Sequence, residues 1–432
     1  TAATKKVQIN LDKSWNSTND GSGSGLDADL LDGQQGSYYG TATAVATNTA
    51  KVTNATHTGE VTGSGALTIA NNVVDEANLK VSNAPTNGYF LSAQSGNTGG
   101  LTWVTAPASL TGQTDSATPF KTSLGVGAGA VSTGAGNVFV GYQAGLTNTT
   151  GAYNTANGYQ ALYYNTTGYS NVAVGHYALR TNTTGYYNVA NGGNALYANT
   201  TGYYNVANGY QALYANTAGN SNTANGYYAL RTNTTGNYNT ANGTEALRSN
   251  TTANYNTANG FWALFSNTTG PNNTANGYYA LRANTTGYTN VANGANALQA
   301  NTTGSQNVAN GYGALYTNTT GYSNVANGYY ALYKNTTGYY NIAHGYYALY
   351  TNTSGYSNTA DGYQALRYNT TGNHNTAVGH YALRANTTGI KNTANGSYAL
   401  QSNTTGIENT ANGYYALYAN TTGNSNTANG YY

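Results

Sequence analysis

Three aspartates, Asp27, Asp29 and Asp32, fall within six residues, a carboxylate density that would suit a calcium ion. Their spacing lacks the glycine and the distal glutamate of a calcium loop, so a solvated acidic turn is the better reading. Among the five histidines, His57, His344 and His374 have no partner at metal-ligand spacing. His176 and His380 stand in slots that hold tyrosine in other copies of a repeat, which makes them surface substitutions. The chain has no cysteine, so disulfides, thiolate metal sites and a cysteine nucleophile are excluded. No serine sits in a nucleophile elbow. Gly125-Val126-Gly127-Ala128-Gly129 is glycine-rich, but no lysine or helix follows to hold a phosphate; it reads as a degenerate first coil. Asn-Thr-Thr matches the N-glycosylation sequon in nearly every copy, an outcome of composition unless the source is eukaryotic. No catalytic, cofactor-binding or metal-binding residue is assigned, no cofactor is expected, and an enzyme is the weakest reading.

The tyrosines carry more promise. Tyr186 and Tyr187, Tyr203 and Tyr204, and Tyr339 and Tyr340 are adjacent aromatics in corresponding places of the repeat. Tyrosine rings beside asparagine and glutamine suit stacking on sugar faces and hydrogen bonding to hydroxyls, which makes these six the candidate glycan-facing or receptor-facing residues. The plainer alternative is that the rows stack on one another or face a neighbouring chain. Phe261, Trp262 and Phe265 form the most apolar local patch and read as a tighter local contact.

The element that must position these residues is a repeat. From residue 137 a 17-residue unit recurs, with Gly141, Gly158, Gly175 and Gly192 marking a register that runs to Gly430. One unit reads Asn-Thr/Val-Ala-Asn-Gly-Tyr-x-Ala-Leu-x-x-Asn-Thr-Thr-Gly-x-x. Gly158, Leu162, Asn165 and Gly168 are fixed slots in one copy, and Gly175 and Leu179 repeat the first two in the next. Helical solenoid units are longer, and Asn, Thr and Gly are poor helix formers. A short unit with β-branched residues between Asn/Gly turns fits one coil of a β-solenoid. Two strands per coil are expected, over 154–157 and 159–164 in the first full unit. Coils then stack about 4.7 Å apart, giving a rod of roughly 80 Å, with asparagine amides bonding along it. The apolar filling expected per coil is one Leu, two Ala and the Thr/Val slot. That is thin against the entropy of ordering the whole unit. Some Leu or Tyr rows should therefore bury against other chains, and three chains around one axis is the favoured arrangement. A monomeric solenoid whose Tyr rows cover its own faces remains open.

Composition supports an ordered scaffold. Only 6% of residues are charged, yet aromatics reach 12%, which points away from a solvated coil. The formal charge of +2 gives no strong pull towards nucleic acid. No apolar run is long enough for a membrane-spanning helix, and Thr1 to Lys6 do not open a signal peptide. The acids concentrate ahead of the array: residues 1–120 hold 9 of the 12 acids and 5 of the 14 basic residues. Within them, Val7 to Leu11, Leu67 to Ile69 and Leu101 to Val104 are strand candidates, and Gly21 to Gly25 is a flexible joint. The expected organisation is connector modules over 1–120, a transition over 121–136, and a repeat shaft over 137–432.

Residues 26–40, with Leu-Asp-Gly-Gln-Gln-Gly-Ser-Tyr-Tyr, and the segments 59–80 and 85–105 resemble modules of the tail fibres of tailed phages infecting aquatic bacteria, including cyanobacteria. The array, with Asn-Thr-Ala-Val-Gly-His-Tyr-Ala-Leu at 375–383, is similar to repeats of such fibres and, more loosely, to the heads of trimeric autotransporter adhesins. The resemblance implies a homotrimeric, elongated, non-enzymatic fibre on a virion. Its partners would be a baseplate or connector protein and a host-surface glycan or protein, with neither nucleic-acid binding nor membrane insertion. It also implies that a self-cleaving chaperone domain was removed after Tyr432 or that more sequence follows. A cellular surface adhesin or secreted extracellular filament is the rival reading. An ice-binding solenoid is a third, suggested by Thr-Thr in each coil. It needs a flat threonine row on a strand, whereas those threonines lie in a turn.

Overall fold

The structure, a computed structural model, describes residues 89–93, 101–105 and 121–432. Asp27, Asp29, Asp32, His57, the Gly21–Gly25 joint, the strand candidates at Val7–Leu11 and Leu67–Ile69, and the phage-like segments 26–40 and 59–80 lie outside these residues. The chain divides into two units, Thr1–Thr105 and Ala106–Tyr432.

In the first unit, β1 (Tyr89–Ala93) pairs antiparallel with β2 (Leu101–Thr105), Tyr89 opposite Thr105 and Ala93 opposite Leu101. The strand expected at Leu101–Val104 is present. Its partner escaped notice because Tyr89-Phe90-Leu91 is a continuous apolar run without alternation.

The second unit is an all-β parallel solenoid, with no helix among the described residues. Nineteen three-residue strands, β3 (Thr122–Leu124) through β21 (Thr427–Asn429), each pair in parallel with the next. From β4 (Val138–Val140) onward every step is one full repeat unit, so like meets like: Ala156 lies opposite Ala173, and Ala224 opposite Ala241. The step from β3 to β4 is shorter by one position, with Thr122 opposite Val138, and the glycine-rich stretch at 125–129 belongs to this degenerate first coil. Stacked rings on adjacent coils are 4.9 Å apart, so eighteen steps make the unit a rod about 90 Å long.

Each coil holds one strand, not two. In the coil that opens at Asn154, Thr155–Asn157 is extended, and Gly158 at φ 146° ends it. The stretch expected as a second strand, 159–164, is a run of turns, because Gln160 and Leu162 take left-handed conformations at φ 51° and 52°. Left-handed backbone costs a non-glycine residue about 1–2 kcal/mol. The hydrogen bonds explain why it is tolerated. Gln160 N donates back to Tyr142 O at 2.9 Å, and Leu162 N donates forward to Ala178 O at 3.0 Å. The turns are therefore bonded to both neighbouring coils, as the strand is.

The core also differs from expectation. Ala156, Ala161 and Leu162 face inward and are fully buried, but the Thr/Val slot faces out: Val172 and Ile342 are exposed. The period of two along a strand forces this, since Ala in the middle points in and its neighbours point away. The remaining inward places belong to asparagine. Asn154 and Asn165 are both 0% exposed, as are their counterparts in the following coils as far as Asn409 and Asn403.

These amides form two buried ladders. Asn171 donates from both its backbone N and its Nδ2 to Asn154 Oδ1, at 3.0 and 3.1 Å. Asn182 Nδ2 donates to Asn165 Oδ1 at 2.7 Å. The second hydrogens of Asn171 and Asn182 both go to Gly185 O, at 2.9 Å each, which ties the ladders together. Glycine is needed there for space, because a Cβ on Gly185 would collide with Asn182 Oδ1. All but one of the buried ladder amides are thus satisfied, at a net gain of about 1 kcal/mol per bond. One fault interrupts the order: Asn256 Nδ2 is buried without a partner, in the coil that carries Pro271. From Leu162 to Leu400 the leucine row is closed within one chain. The leucine row therefore offers no face to a second chain.

Candidate functional site

The slots that vary between coils are the ones left facing outward, and they collect into two aromatic surfaces. The first is built on the slots of Tyr169 and Ser170, just after the Asn-Thr-Thr-Gly turn. Tyr169, Tyr186 and Tyr203 stack there at 4.9 Å with interplanar angles of 1°. Tyr187 and Tyr204 stack beside them at 5.3 Å and 7°. Tyr186 meets Tyr187 edge-on, at 5.8 Å and 76°. Four of the six candidate tyrosines therefore form one block. The other two, Tyr339 and Tyr340, lie nine coils further on, where Tyr322, Tyr339 and Tyr356 stack at 4.9 Å.

Stacking changes what these rings can do. A ring inside a row has both faces covered by its neighbours and offers its edge and hydroxyl. Only a ring at the end of a row has a face free for a sugar. Desolvation by neighbouring rings, followed by the charge that Tyr203 would carry, raises Tyr186 above the usual phenol range. Desolvation and a hydrogen bond with Tyr414 push Tyr415 up to about 12.

The second surface is built on the slots of Tyr159, Gln160 and Tyr163. Tyr312, Tyr329, Tyr346 and Tyr363 stack along it at 5.3–5.4 Å, and His380 continues the row from Tyr363 at 5.2 Å. His380 thus keeps the stacking geometry, whereas His176, in the same slot, is tilted by 30° at 6.0 Å from Tyr159. Phe261, Trp262 and Phe265 pack on this surface too, at 5.3 and 4.8 Å.

Sequence reading missed the cations of this surface. All six arginines of the chain fall in the slot of Tyr163: Arg180, Arg231, Arg248, Arg282, Arg367 and Arg384. Each guanidinium lies over rings, as Arg180 does over Tyr177 at 5.2 Å and Arg282 over Trp262 at 4.7 Å. Such contacts are worth about 0.5–2 kcal/mol and leave hydrogen-bond donors at the ring margins. Arg367 Nη1 and Arg384 Nε both donate to Gln364 Oε1, at 2.8 and 3.0 Å, so two adjacent cations share a neutral acceptor. The spacing of the arginines, always a whole number of repeat units, was the signal that could have exposed the row.

Among the described residues no cluster of three metal-ligating side chains exists, and no helix is long and apolar enough to cross a membrane. No protein-family model, no curated protein and no solved structure matches the chain.

Proposed function

We propose that the chain is a non-enzymatic structural fibre, the shaft of a viral tail fibre that reaches from a virion towards a host-cell surface and adheres there. The observation that carries this reading is the open, in-register ladder from β3 to β21, in which every coil bonds to the next around most of its circuit. Such a ladder resists bending and extension at once and suits a spacer better than a catalyst. The partly exposed tyrosine rows give such a shaft surfaces for a homotrimer partner or a host glycan, and the phage-like modules ahead of it suit attachment to a baseplate or connector. The test is electron microscopy of the purified chain together with immunogold labelling of phage particles from the source. Rods of the expected length and label on particle tails are expected. A compact particle, or label only on cell surfaces or free filaments, would refute the virion reading. Incubation with host polysaccharide should release no oligosaccharides.

One observation favours a second reading, an ice-binding solenoid. The threonines of Asn-Thr-Thr-Gly are indeed in a turn, where Thr166 Oγ1 donates to Thr183 O at 3.0 Å. The strand, however, carries outward threonine rows of its own, over Thr223, Thr240, Thr257 and Thr274 and again from Thr359 to Thr427. Thermal hysteresis in a cooled solution of the protein would favour this reading, and its absence would remove it.

A further inference from the structure

Placed on the solenoid, the second aromatic surface carries a longer period than the single coil. Arg180, Arg231, Arg282 and Arg384 are spaced by multiples of three coils, and the one position missing from the series, Tyr333, is followed at once by Lys334. The outermost aromatic row keeps the same beat. It is interrupted by Gly193, Thr244, Ala295 and Ser397, again at multiples of three coils, and each gap lies in the coil that follows a cation. Arg248 and Arg367 share the arginine slot but stand off this beat. At 4.9 Å per coil, three coils measure about 15 Å.

A simple triplication of a three-coil segment would print the period on every variable slot. The strand slot does not carry it: Val172, Val189 and Val206 run together and are followed by Thr223, Thr240 and Thr257. The beat therefore belongs to what this surface does.

Each feature of the surface has a chemical use. Among the described residues only two ion pairs occur, Arg248 with Glu245 and Lys391 with Glu408, so the cations on the three-coil beat have no carboxylate partner. They are held half-buried over rings, as Arg231 is over Tyr228 at 4.9 Å and Arg384 over Tyr381 at 4.9 Å. Arg282 Nε is buried and unpaired. The gaps release ring faces that stacking would cover. A Cβ on Gly193 would come within 3.3 Å of the Tyr210 ring, so that ring overhangs the empty slot.

We propose that this surface binds a linear acidic polysaccharide along the rod axis. The cations take its acid groups at three-coil intervals, and sugar rings lie in the gaps against the freed aromatic faces. The charge density selects this class of ligand. Arg180 and Arg384 are twelve coils apart, about 59 Å at 4.9 Å per coil. Over that length the six arginines and Lys334, less Glu245 and Asp361, leave five net positive charges, about one for every two coils. Duplex DNA presents a negative charge about every 1.7 Å, so a nucleic acid would leave most of its phosphates unmet. A neutral glycan would leave the guanidiniums unused. A glycan with an acid on only some of its sugars meets both.

This inference rests on the reading of the chain as a surface-facing fibre, and binding in solution tests it separately from the rod seen by microscopy. The full chain is assayed against immobilised hyaluronan, dextran and single-stranded DNA at 50 and 500 mM NaCl. Hyaluronan should be retained at low salt and released at high salt, with dextran and DNA each bound at least tenfold more weakly. The quadruple variant Arg180→Gln, Arg231→Gln, Arg282→Gln, Arg384→Gln should lose at least tenfold in hyaluronan affinity. Lys391→Gln, on the other aromatic surface, should leave it unchanged. If the quadruple variant folds poorly, Thr244→Tyr with Ala295→Tyr fills two gaps with the residue usual in that slot and should weaken binding several-fold. Equal binding of dextran, tighter binding of DNA, no retention of hyaluronan, or a variant that changes only the sedimentation mass would each overturn the proposal. The last outcome would assign the surface to a second copy of this chain.

Discussion

The first two coils and the interior of the solenoid fill one core with different residues. An interior coil supplies Ala156, Ala161 and Leu162, all fully buried. In the second coil Phe139 takes the strand alanine's place, and glycines stand in the leucine slot on either side, Gly129 in the first coil and Gly145 in the second. The ring is fully buried, and a Cβ on either glycine would come within 2.5 Å of it. The ladders stop here as well. Lys121 occupies the first inward asparagine slot, and its Nζ donates to Gly129 O at 2.7 Å. Ser132 occupies the second, and its Oγ accepts from Asn148 Nδ2 at 2.7 Å. The core volume is thus kept while the residues change. Identity is demanded only where a side chain must bond to or pack on a copy of itself, and at an end that demand lapses.

The largest expected effect is at glycine, where the slot decides and the end does not differ from the interior. Gly209 has φ 133°, and a Cβ there would lie 2.5 Å from Gly226 O of the next coil, a backbone atom that cannot yield. Gly209→Ala should cost about 4 kcal/mol or more, from left-handed strain and overpacking together. Gly127, in the first coil, would meet only the Gln143 and Leu146 side chains at 3.3 Å. Gly127→Ala should cost about 1–2 kcal/mol. Hydrogen exchange of the flanking coils reads both; Gly125, the counterpart of Gly209 in the first coil, meets Gly141 O at the same 2.5 Å, so equal losses at Gly209 and Gly127 would erase the distinction between a slot closed by backbone and one faced by side chains.

Next is the exchange of core solutions. Phe139→Ala should cost about 3 kcal/mol through the cavity it leaves. Adding Gly129→Leu and Gly145→Leu converts this end to the interior pattern and should recover about half of that, a coupling of the size expected between touching residues. Urea melts of the single and triple variants check this. If the two leucines are tolerated beside the intact Phe139, the volume argument fails.

Removal of a ladder member should cost less. Asn222→Ala takes away the acceptor of the buried Asn239 backbone N and of one Nδ2 hydrogen of Asn239, while Asn205 Oδ1 keeps only the backbone N of residue 222. About 2 kcal/mol is expected from such buried orphans. Ser132→Ala, at the end of a ladder, should cost about 1 kcal/mol or less. The two urea midpoints should therefore fall in that order.

How much of this was legible in the sequence follows from the same physics. A 17-residue register is visible in any one slot, so the solenoid and its axial amide bonding could be read from Gly158 and Asn165. The coil's cross-section could not. Leu162 sits in a left-handed conformation that leucine's own preference opposes, and what permits it, bonds to the coils above and below, exists only after stacking. For the same reason Asn154 reads as a surface residue until its amide finds Asn171. On the candidate surfaces the tyrosine pairs were visible as neighbours. Their stacking along the rod was read as the plainer alternative and is found; the arginine row went unread, because it joins residues a coil or more apart. For Arg180 and Arg231 that separation is three coils.

The smallest expected effect sets the tyrosine-rich coils against the first coil, residues 121–136, which has no tyrosine. Tyr415 is pushed up to about 12, chiefly by desolvation and then by its bond with Tyr414, whereas an unfolded tyrosine titrates near 10. Between these values the unfolded chain loses the proton first, so the folded state binds more protons and stability falls as pH rises. The stabilisation is complete below pH 10 and is lost as the pH climbs through 12. Urea midpoints should therefore be flat from pH 8 to 9.5 and decline above about 10, with Tyr415→Phe making the decline shallower. Local hydrogen exchange in the first coil should change least over that range. A decline that began near neutrality, or that was as steep in the first coil as around Tyr415, would show that something other than the stacked phenols sets the alkaline limit.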